Sequence, residues 1–362
     1  MQAILVAGAG KIGKLIACLL SESGKYQVHL VDSVIESVDS SDVGEQLNKI
    51  KFSRIDITDS SLAVQYIQQH KIKAVICCLP FHCNVGLCQI AKECSIHYFD
   101  LTEDTEVTKE ITKIAQGSDS AIVPQCGLAP GFISIVAHDL MTHFDSIDKV
   151  LMRVGALPAN PNNILKYSLN WSTEGLINEY GNTCYGISAG VEVDLQPLEG
   201  LETLQIDGLL YEAFNTSGGI GSLALMYKDK VNTMNYKTLR YPGHCEHMRL
   251  LMNDLKLNDD RETLKHILEK AIPRTKQDVV LIYAAVNGYK NGEYLEENYV
   301  NKIYPQKISG KQWSAIQVTT AASACVLVDH IMNHADEFKG LVYQENIGLE
   351  CFLKNDFGRY YR

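Results

Sequence analysis

Glycines 8, 10 and 13 lie between a wholly apolar stretch (residues 3–7) and a stretch with helical apolar spacing (11–20), and no other feature narrows the fold so much. Alone, G-x-G-x-x-G is a weak signal; between a strand and a helix it is a strong one. Gly8 permits a tight turn, Gly10 lets the backbone approach a pyrophosphate, and Gly13 lets the helix close on the sheet. The phosphate then meets the free N–H groups of the helix start, at Lys11 and Ile12. Asp32 follows at the distance where an acidic residue reads the ribose, about 20 residues past the glycines. A carboxylate there accepts hydrogen bonds from an unmodified ribose and repels a 2′-phosphate. Ser33, not an arginine, comes next. The expected cofactor is NAD, with NADP less favoured.

The apolar run 3–7 suits a central parallel strand buried on both faces. Further strands are predicted at 28–31, 52–55, 74–79, 97–101 and 120–124, and helices at 11–20 and 60–69, the latter capped by Asp59 or Ser60. Strands alternating with helices make βαβ units, so residues 1–126 are expected to form a Rossmann-type parallel sheet. Past Gly127 that rhythm stops. Residues 191–193, 202–206 and 223–235 read as antiparallel strands or hairpins, 261–272 as a helix, 278–286 as a strand and 313–333 as a long helix. The fold class is α/β, with an inserted α+β substrate and dimerisation domain at 127–312 on a mixed or antiparallel sheet. The segment 313–362 is expected to return to the first domain.

A chain of 362 residues has room for two domains. Its formal charge of −10, without basic runs, argues against nucleic-acid and anionic-membrane surfaces and for a small-molecule partner. The start runs straight into a strand pattern, so no secretory leader is predicted. The longest apolar stretch, 314–332, is broken by Gln317, Thr319, Thr320, Asp329 and His330 and reads as a buried helix. Of eleven cysteines, Cys18, Cys77, Cys78, Cys88 and Cys325 occupy apolar patterns as small hydrophobes would. The absence of C-x-x-C pairs points to free thiols in a reducing, cytoplasmic setting. His244, Glu246 and His247 do not form H-E-x-x-H, and no metal is expected.

Several longer motifs resemble the saccharopine dehydrogenase-like family, including its lysine 6-dehydrogenase branch. They are VAGAGKIG (6–13), CGLAPGF (126–132), WSTEGLINEY (171–180), YEAFNTSGG (211–219) and YKTLRYPGH (236–244). The resemblance implies a nicotinamide-dependent enzyme that oxidises or reduces a C–N bond of an amino acid, and a homodimer joined through the second domain. Saccharopine-cleaving members are expected to carry an acidic residue and an arginine where this chain has Ala129 and Glu174. That departure turns the expectation toward the lysine 6-dehydrogenase branch. A saccharopine or carboxy-polyamine dehydrogenase, acting on a secondary amine, is the alternative; a non-catalytic NAD-binding sensor is the alternative of another class.

Amine oxidation needs a proton acceptor, a carboxylate anchor and a dry cleft. His244, in an Arg-Tyr-Pro-Gly-His turn, is the candidate acid/base, or else a solvated histidine. Arg240 could clamp a carboxylate or make a surface ion pair. Glu174 could hold an amino group or serve as a helix N-terminal carboxylate. Candidate substrate contacts are Asp100, Cys126, Gly127, Tyr185, Asn215, Thr216 and Ser217, the last of which reads equally as part of a Ser-Gly-Gly turn. Asp56 and Ile57, and Cys78, Leu79 and Pro80, end two strands. They read equally as cofactor contacts and as strand-end packing.

Overall fold

The computed structural model describes residues 1–34, 38 and 40–362. It divides into two units: Met1–Phe132, Gln306–Trp313 and Gln317–Arg362 in the first, Ile133–Pro305 and Ser314–Ile316 in the second.

In the first unit the elements run β1 (Gln2–Ala7), α1 (Lys11–Glu22), β2 (Tyr26–Asp32), α2 (Ser40–Val43), β3 (Lys51–Arg54), α3 (Ser60–His70), β4 (Ile72–Cys77), α4 (Asn84–Glu93), β5 (His97–Asp100), α5 (Thr105–Ala115) and β6 (Ala121–Val123). Ile4, Leu5, Val6 and Ala7 of β1 are wholly buried, as a strand covered on both faces must be. Asp59 caps α3, its Oδ1 accepting the N–H groups of Ser61 and Leu62. With β17, met below, the strands order as β17-β6-β5-β4-β1-β2-β3, and every pairing is parallel. The path runs from β1 outward through β2 and β3, then resumes on the other side at β4. The topological switch therefore lies between β1 and β4, where open α/β sheets bind ligands at their carboxyl ends.

The second unit starts within α6 (Phe132–Met141) and continues through β7 (Ser146–Pro158), α7 (Thr173–Gly181), β8 (Cys184–Ser188), β9 (Val191–Leu195), β10 (Glu202–Ile206), β11 (Leu209–Asn215), α8 (Leu223–Tyr227), β12 (Val231–Arg240), α9 (His244–Arg249), α10 (Arg261–Ala271), β13 (Asp278–Lys290) and β14 (Glu293–Ile303). Its sheet is mixed: the order is β10-β11-β12-β7-β13-β14, with β8 joining β12 and β9, and β12 running parallel to β7. Residues 223–235, expected as antiparallel strand or hairpin, are strand only in their second part. Leu223, Ala224 and Met226 are good helix formers and make a short helix; Asp229, at φ +64°, turns the chain; only then does β12 begin. One core of this unit packs α7, α9 and α10 together through Leu176, Ile177, Tyr180, Met248, Leu264 and Leu268.

The remaining elements are the hairpin β15 (Gln306–Ile308) and β16 (Lys311–Trp313), then α11 (Ala315–Asn333), β17 (Gly340–Leu341) and α12 (Leu349–Lys354). Trp313 ends a strand and does not open the helix. By length and composition α11 could span a bilayer, but 78% of its apolar window is buried in the protein. Its Asp329 accepts from Tyr26 Oη at 2.6 Å and pairs with Lys25, which ties α11 to the start of β2. The expected 127–312 domain is trimmed at both ends. Residues 127–132 stay with the first unit, where Phe132 packs on Phe352 and Tyr361; residues 306–313 join it through Ser309, whose carbonyl accepts Glu45 N–H.

Candidate active site

The glycine turn has the shape its sequence requires. Gly8 has φ +104°, and a Cβ there would stand 2.8 Å from the Cys78 carbonyl oxygen; at Gly13 a Cβ would stand 1.9 Å from the Gly8 carbonyl oxygen. A Cβ at Gly10 would meet no atom within 4 Å among the described residues beyond its own chain neighbours. Two glycines are thus needed for packing and one leaves open space. The start of α1 has no side-chain cap, which leaves N–H groups and the helix dipole toward that space, beside Lys11 and Ile12. Asp32 Oδ2 accepts the Ala9 N–H at 2.8 Å and Oδ1 accepts that of Val34 at 2.9 Å. The acid at the end of β2 is thereby locked to the glycine turn.

The other strand ends sort differently. Asp56 is exposed, and its Oδ1 turns back to accept the backbone and hydroxyl of Thr58, which lowers its pKa; it is occupied by its own turn. Ile57 is buried in the first unit's core, with Leu79 packed against the same cluster, and Pro80 is exposed. For Ile57 the packing reading replaces cofactor contact. Cys78 instead forms the wall against which Gly8 and Gly13 close. Cys126 is also structural: its buried thiol points to the Val123 carbonyl oxygen at 3.1 Å. Gly127 bridges to Gly131 in a loop that contains a cis Ala129–Pro130 bond. Asp100 ends β5 wholly buried; Oδ1 accepts the N–H groups of Thr102 and Gln125, while Oδ2 has no hydrogen-bond partner among the described residues. Burial pushes its pKa up to about 6. Glu103, three residues on, is pushed by burial to about 7.

The second unit gathers its own polar cluster under the end of β12. Gly243, at φ +97°, starts α9, and the buried Glu212 accepts the N–H groups of Gly243 and Cys245. His244 is therefore carried inward and is 1% exposed, which removes the solvated-histidine alternative. Its Nδ1 lies 2.7 Å from the Leu165 carbonyl oxygen and its Nε2 3.0 Å from Tyr180 Oη. A carbonyl only accepts, so Nδ1 carries the proton and Nε2 accepts from the tyrosine. Tyr180 Oη in turn accepts from Arg240 Nε at 2.7 Å. Burial, then the Arg240 charge, lowers the pKa of His244 to about 3. Both nitrogens of His244 are thus engaged, and burial keeps its ring neutral near pH 7.

Arg240 is 3% exposed and lies over the rings of Tyr167 and Tyr180, with centroids at 5.0 and 5.7 Å. Besides Tyr180 it donates through Nη1 to the Leu239 carbonyl oxygen. Nη2 has no hydrogen-bond partner, and no carboxylate lies within ion-pair distance, among the described residues. Glu179, the neighbour of Tyr180 on α7, acts on it only through its field. Arg153, buried in the same sheet, shows the contrast, since it is paired with Glu202. Glu174 is not part of this cluster. It is half-exposed in the first turn of α7 and pairs with Lys265 of α10, so the helix-terminal reading replaces the amine-holding one. Asn215 is likewise structural, donating to the Gln196 carbonyl oxygen to close a loop, and Ser217 Oγ donates to the Asn178 carbonyl oxygen. Thr216 Oγ1 is buried without a partner among the described residues, and Tyr185 is a half-buried residue of β8.

Two family models span the chain: Saccharopine dehydrogenase NADP binding domain over residues 4–121, and Saccharopine dehydrogenase C-terminal domain over 127–354. The chain belongs to the saccharopine dehydrogenase family. It is an NAD(P)-binding oxidoreductase of that family. Among solved structures, its fold is similar to apo saccharopine dehydrogenase (L-Glu forming) of Saccharomyces cerevisiae, at TM-score 0.78 and 15% identity over 99% of this chain and 98% of that one. It is also similar to the homospermidine synthase of Legionella pneumophila in complex with NAD, at TM-score 0.66 and 13% identity over 99% and 89%. The alpha-aminoadipic semialdehyde synthase of Arabidopsis thaliana is 23% identical over 159 residues; the match covers 42% of this chain and 15% of that protein.

For this saccharopine dehydrogenase family member, the uncapped helix start, the open space at Gly10 and Asp32 fit a dinucleotide. Gly8, Gly10, Gly13 and Asp32 would hold it, and it would supply the hydride acceptor. Sequence reading missed Arg54, which faces Asp32 across β2 and β3 and donates from Nε to the Ser33 carbonyl oxygen. It also missed Tyr167 and Tyr180, which read as core aromatics, and Glu103. The one available signal was the run Glu103-Asp104 at the end of a predicted strand.

Proposed function

We propose that this protein is an NAD-dependent dehydrogenase of an amino acid, removing hydride from an amine-bearing carbon to leave an imine that water hydrolyses, in the manner of a lysine 6-dehydrogenase. The observation that carries the reading is Arg240. A guanidinium does not lose its proton, and burying it without a carboxylate costs several kcal/mol. The charge is tolerable when a substrate carboxylate completes it, and Nη2 is the donor left over for that contact. Tyr167, Tyr180 and neutral His244 hold the guanidinium in place without neutralising it. Asp32 supports NAD over NADP because its carboxylate stands where a 2′-phosphate would be repelled. A homodimer and a cytoplasmic setting remain part of the proposal.

The test is NADH and NADPH formation at alkaline pH across lysine, ornithine, saccharopine and carboxy-polyamines, each with a decarboxylated counterpart. Turnover of lysine with NAD, and none of cadaverine, is the expected result. Turnover of saccharopine or a carboxy-polyamine would move the reading to secondary amines. Equal use of amines with and without the carboxylate would overturn the role of Arg240. Tight NAD binding with no turnover would leave a cofactor-binding sensor.

A further inference from the structure

The carboxyl ends of three neighbouring strands are matched residue for residue: Ala7 of β1 with Cys77 of β4, and Cys77 with Asp100 of β5. Asp32 ends β2, on the other side of β1, where Val31 is paired with Ala7. With strands about 4.8 Å apart, Asp32 stands one strand to one side of the glycine turn and Asp100 two strands, about 10 Å, to the other. A dinucleotide whose pyrophosphate rests on that turn and whose adenosine ribose meets Asp32 sends its other half toward β4 and β5. There the sheet ends in a wholly buried carboxyl group. Its Oδ1 is satisfied by two backbone N–H groups; the Tyr98 hydroxyl stands beside the carboxyl group but donates to the Asn84 carbonyl oxygen, and Oδ2 meets no donor at hydrogen-bond distance among the described residues. A buried oxygen without a donor is costly and uncommon.

We propose that Asp100 Oδ2 accepts the carboxamide N–H of the nicotinamide, so that a buried carboxylate at the end of β5 binds the redox end of the cofactor. This rests on the dinucleotide reading above and adds the residue that recognises its far half. Two N–H donors on Oδ1 favour the ionised form, and the ring cation of the oxidised cofactor favours it further. The titratable groups facing Asp100 are Tyr98 on β5, Cys77 and Cys78 at the end of β4, Cys88 on α4, Cys126 after β6, and Glu103. Burial pushes the thiols and the phenol upward, away from the acid range. Glu103 alone shares that range with Asp100.

The experiment measures binding of NAD, of ADP-ribose and of the NAD analogue bearing acetyl in place of the carboxamide, by calorimetry between pH 5 and pH 7. ADP-ribose lacks the nicotinamide, so its affinity carries any effect of Asp32, and the ratio of NAD to ADP-ribose affinity isolates the far half. With Asp100 titrating at about 6, that ratio should rise about tenfold from pH 5 to pH 7, because Oδ1 is already engaged and a proton on Oδ2 turns that oxygen from acceptor into donor. Asp100→Asn should flatten the rise while leaving ADP-ribose binding unchanged, and Glu103→Gln should keep it. In the unmutated protein, the acetyl analogue should bind more weakly than NAD at pH 7, whatever the stability of Asp100→Asn. A flat ratio in the unmutated protein, a rise that survives in Asp100→Asn, or an acetyl analogue that matches NAD would each overturn the assignment while leaving the dinucleotide site standing. Absence of binding by NAD and ADP-ribose alike would overturn the dinucleotide reading itself.

Discussion

Replacing Arg240 by methionine should make the protein more stable while removing its grip on substrate. The guanidinium is 3% exposed and unpaired, and replacing such a charge by an apolar chain of similar length relieves a desolvation penalty of several kcal/mol. Against this stand two lost hydrogen bonds, to Tyr180 Oη and the Leu239 carbonyl oxygen, worth about 1.5 kcal/mol each. Tyr180 keeps its role toward His244, so no new orphan is made on that side. The net expectation is a gain of about 2 kcal/mol. Arg153→Met is the control: it breaks a pair with Glu202, which retains Lys237 and is partly solvated, and should cost about 2 kcal/mol. The chain has two tryptophans, and Trp171 donates to Tyr167 Oη beside Arg240. In a Trp313→Phe background its fluorescence therefore follows urea unfolding of the second unit alone. KM for the amino acid should rise about a hundredfold with the loss of one charge-assisted contact. If Arg240→Met lowers the midpoint as Arg153→Met does, the charge is compensated within the protein, and the argument for a substrate carboxylate fails.

Three other outcomes follow from the same geometry. His244→Asn should leave the pH profile of kcat in place but make the fold less acid-sensitive. The neutral histidine has a folded pKa of about 3 against 6.5 unfolded, so its stability contribution is full above 6.5 and falls as the unfolded state takes up protons below it. That loss is about 2 kcal/mol at pH 5, read by denaturation at pH 8 and pH 5. Gly10→Ala should fold normally and lose NAD binding, whereas Gly13→Ala should lower the melting temperature, because its methyl would meet the Gly8 carbonyl; equal melting temperatures would refute this. Asp32→Ala should weaken NAD by about 2 kcal/mol in titration calorimetry and NADP by clearly less; equal losses would mean that the carboxylate serves only the Ala9 N–H.

The nucleotide half was legible because its signals are local. The turn, its strand and its helix occupy residues 2–22, and Asp32 ends the adjoining strand. The second half was misread where meaning depends on distant partners. His244 is kept neutral by burial and by Arg240, its ring is held by Leu165 and Tyr180, 79 and 64 residues away, and Glu174 is occupied by Lys265, 91 residues away. Sequence left open whether His244, in the turn of Pro242 and Gly243, is buried or solvated. The buried carboxylate of Glu212, which draws that turn inward by accepting two of its N–H groups, carries no pattern that marks it in sequence. Arg240 was picked out by a motif, but its value lies in what it lacks, and no sequence displays the absence of a counter-ion.

The nucleotide-binding unit is discontinuous in the chain, and this bears on the order in which a ribosome delivers it. All of Ile133–Pro305 emerges before α11 and β17 exist. All of the second unit but Ser314–Ile316 is then available to fold during synthesis, since domains fold as units once their residues are available. The first unit is not: Tyr26 waits for Asp329, and β6 for Gly340 and Leu341, contacts whose closure spans most of the chain. Until then Tyr26 lacks its carboxylate partner and β6 forms an open sheet edge. A nascent or truncated chain would display a nearly complete second unit and an unfinished nucleotide fold, which is the form a chaperone or protease would meet first.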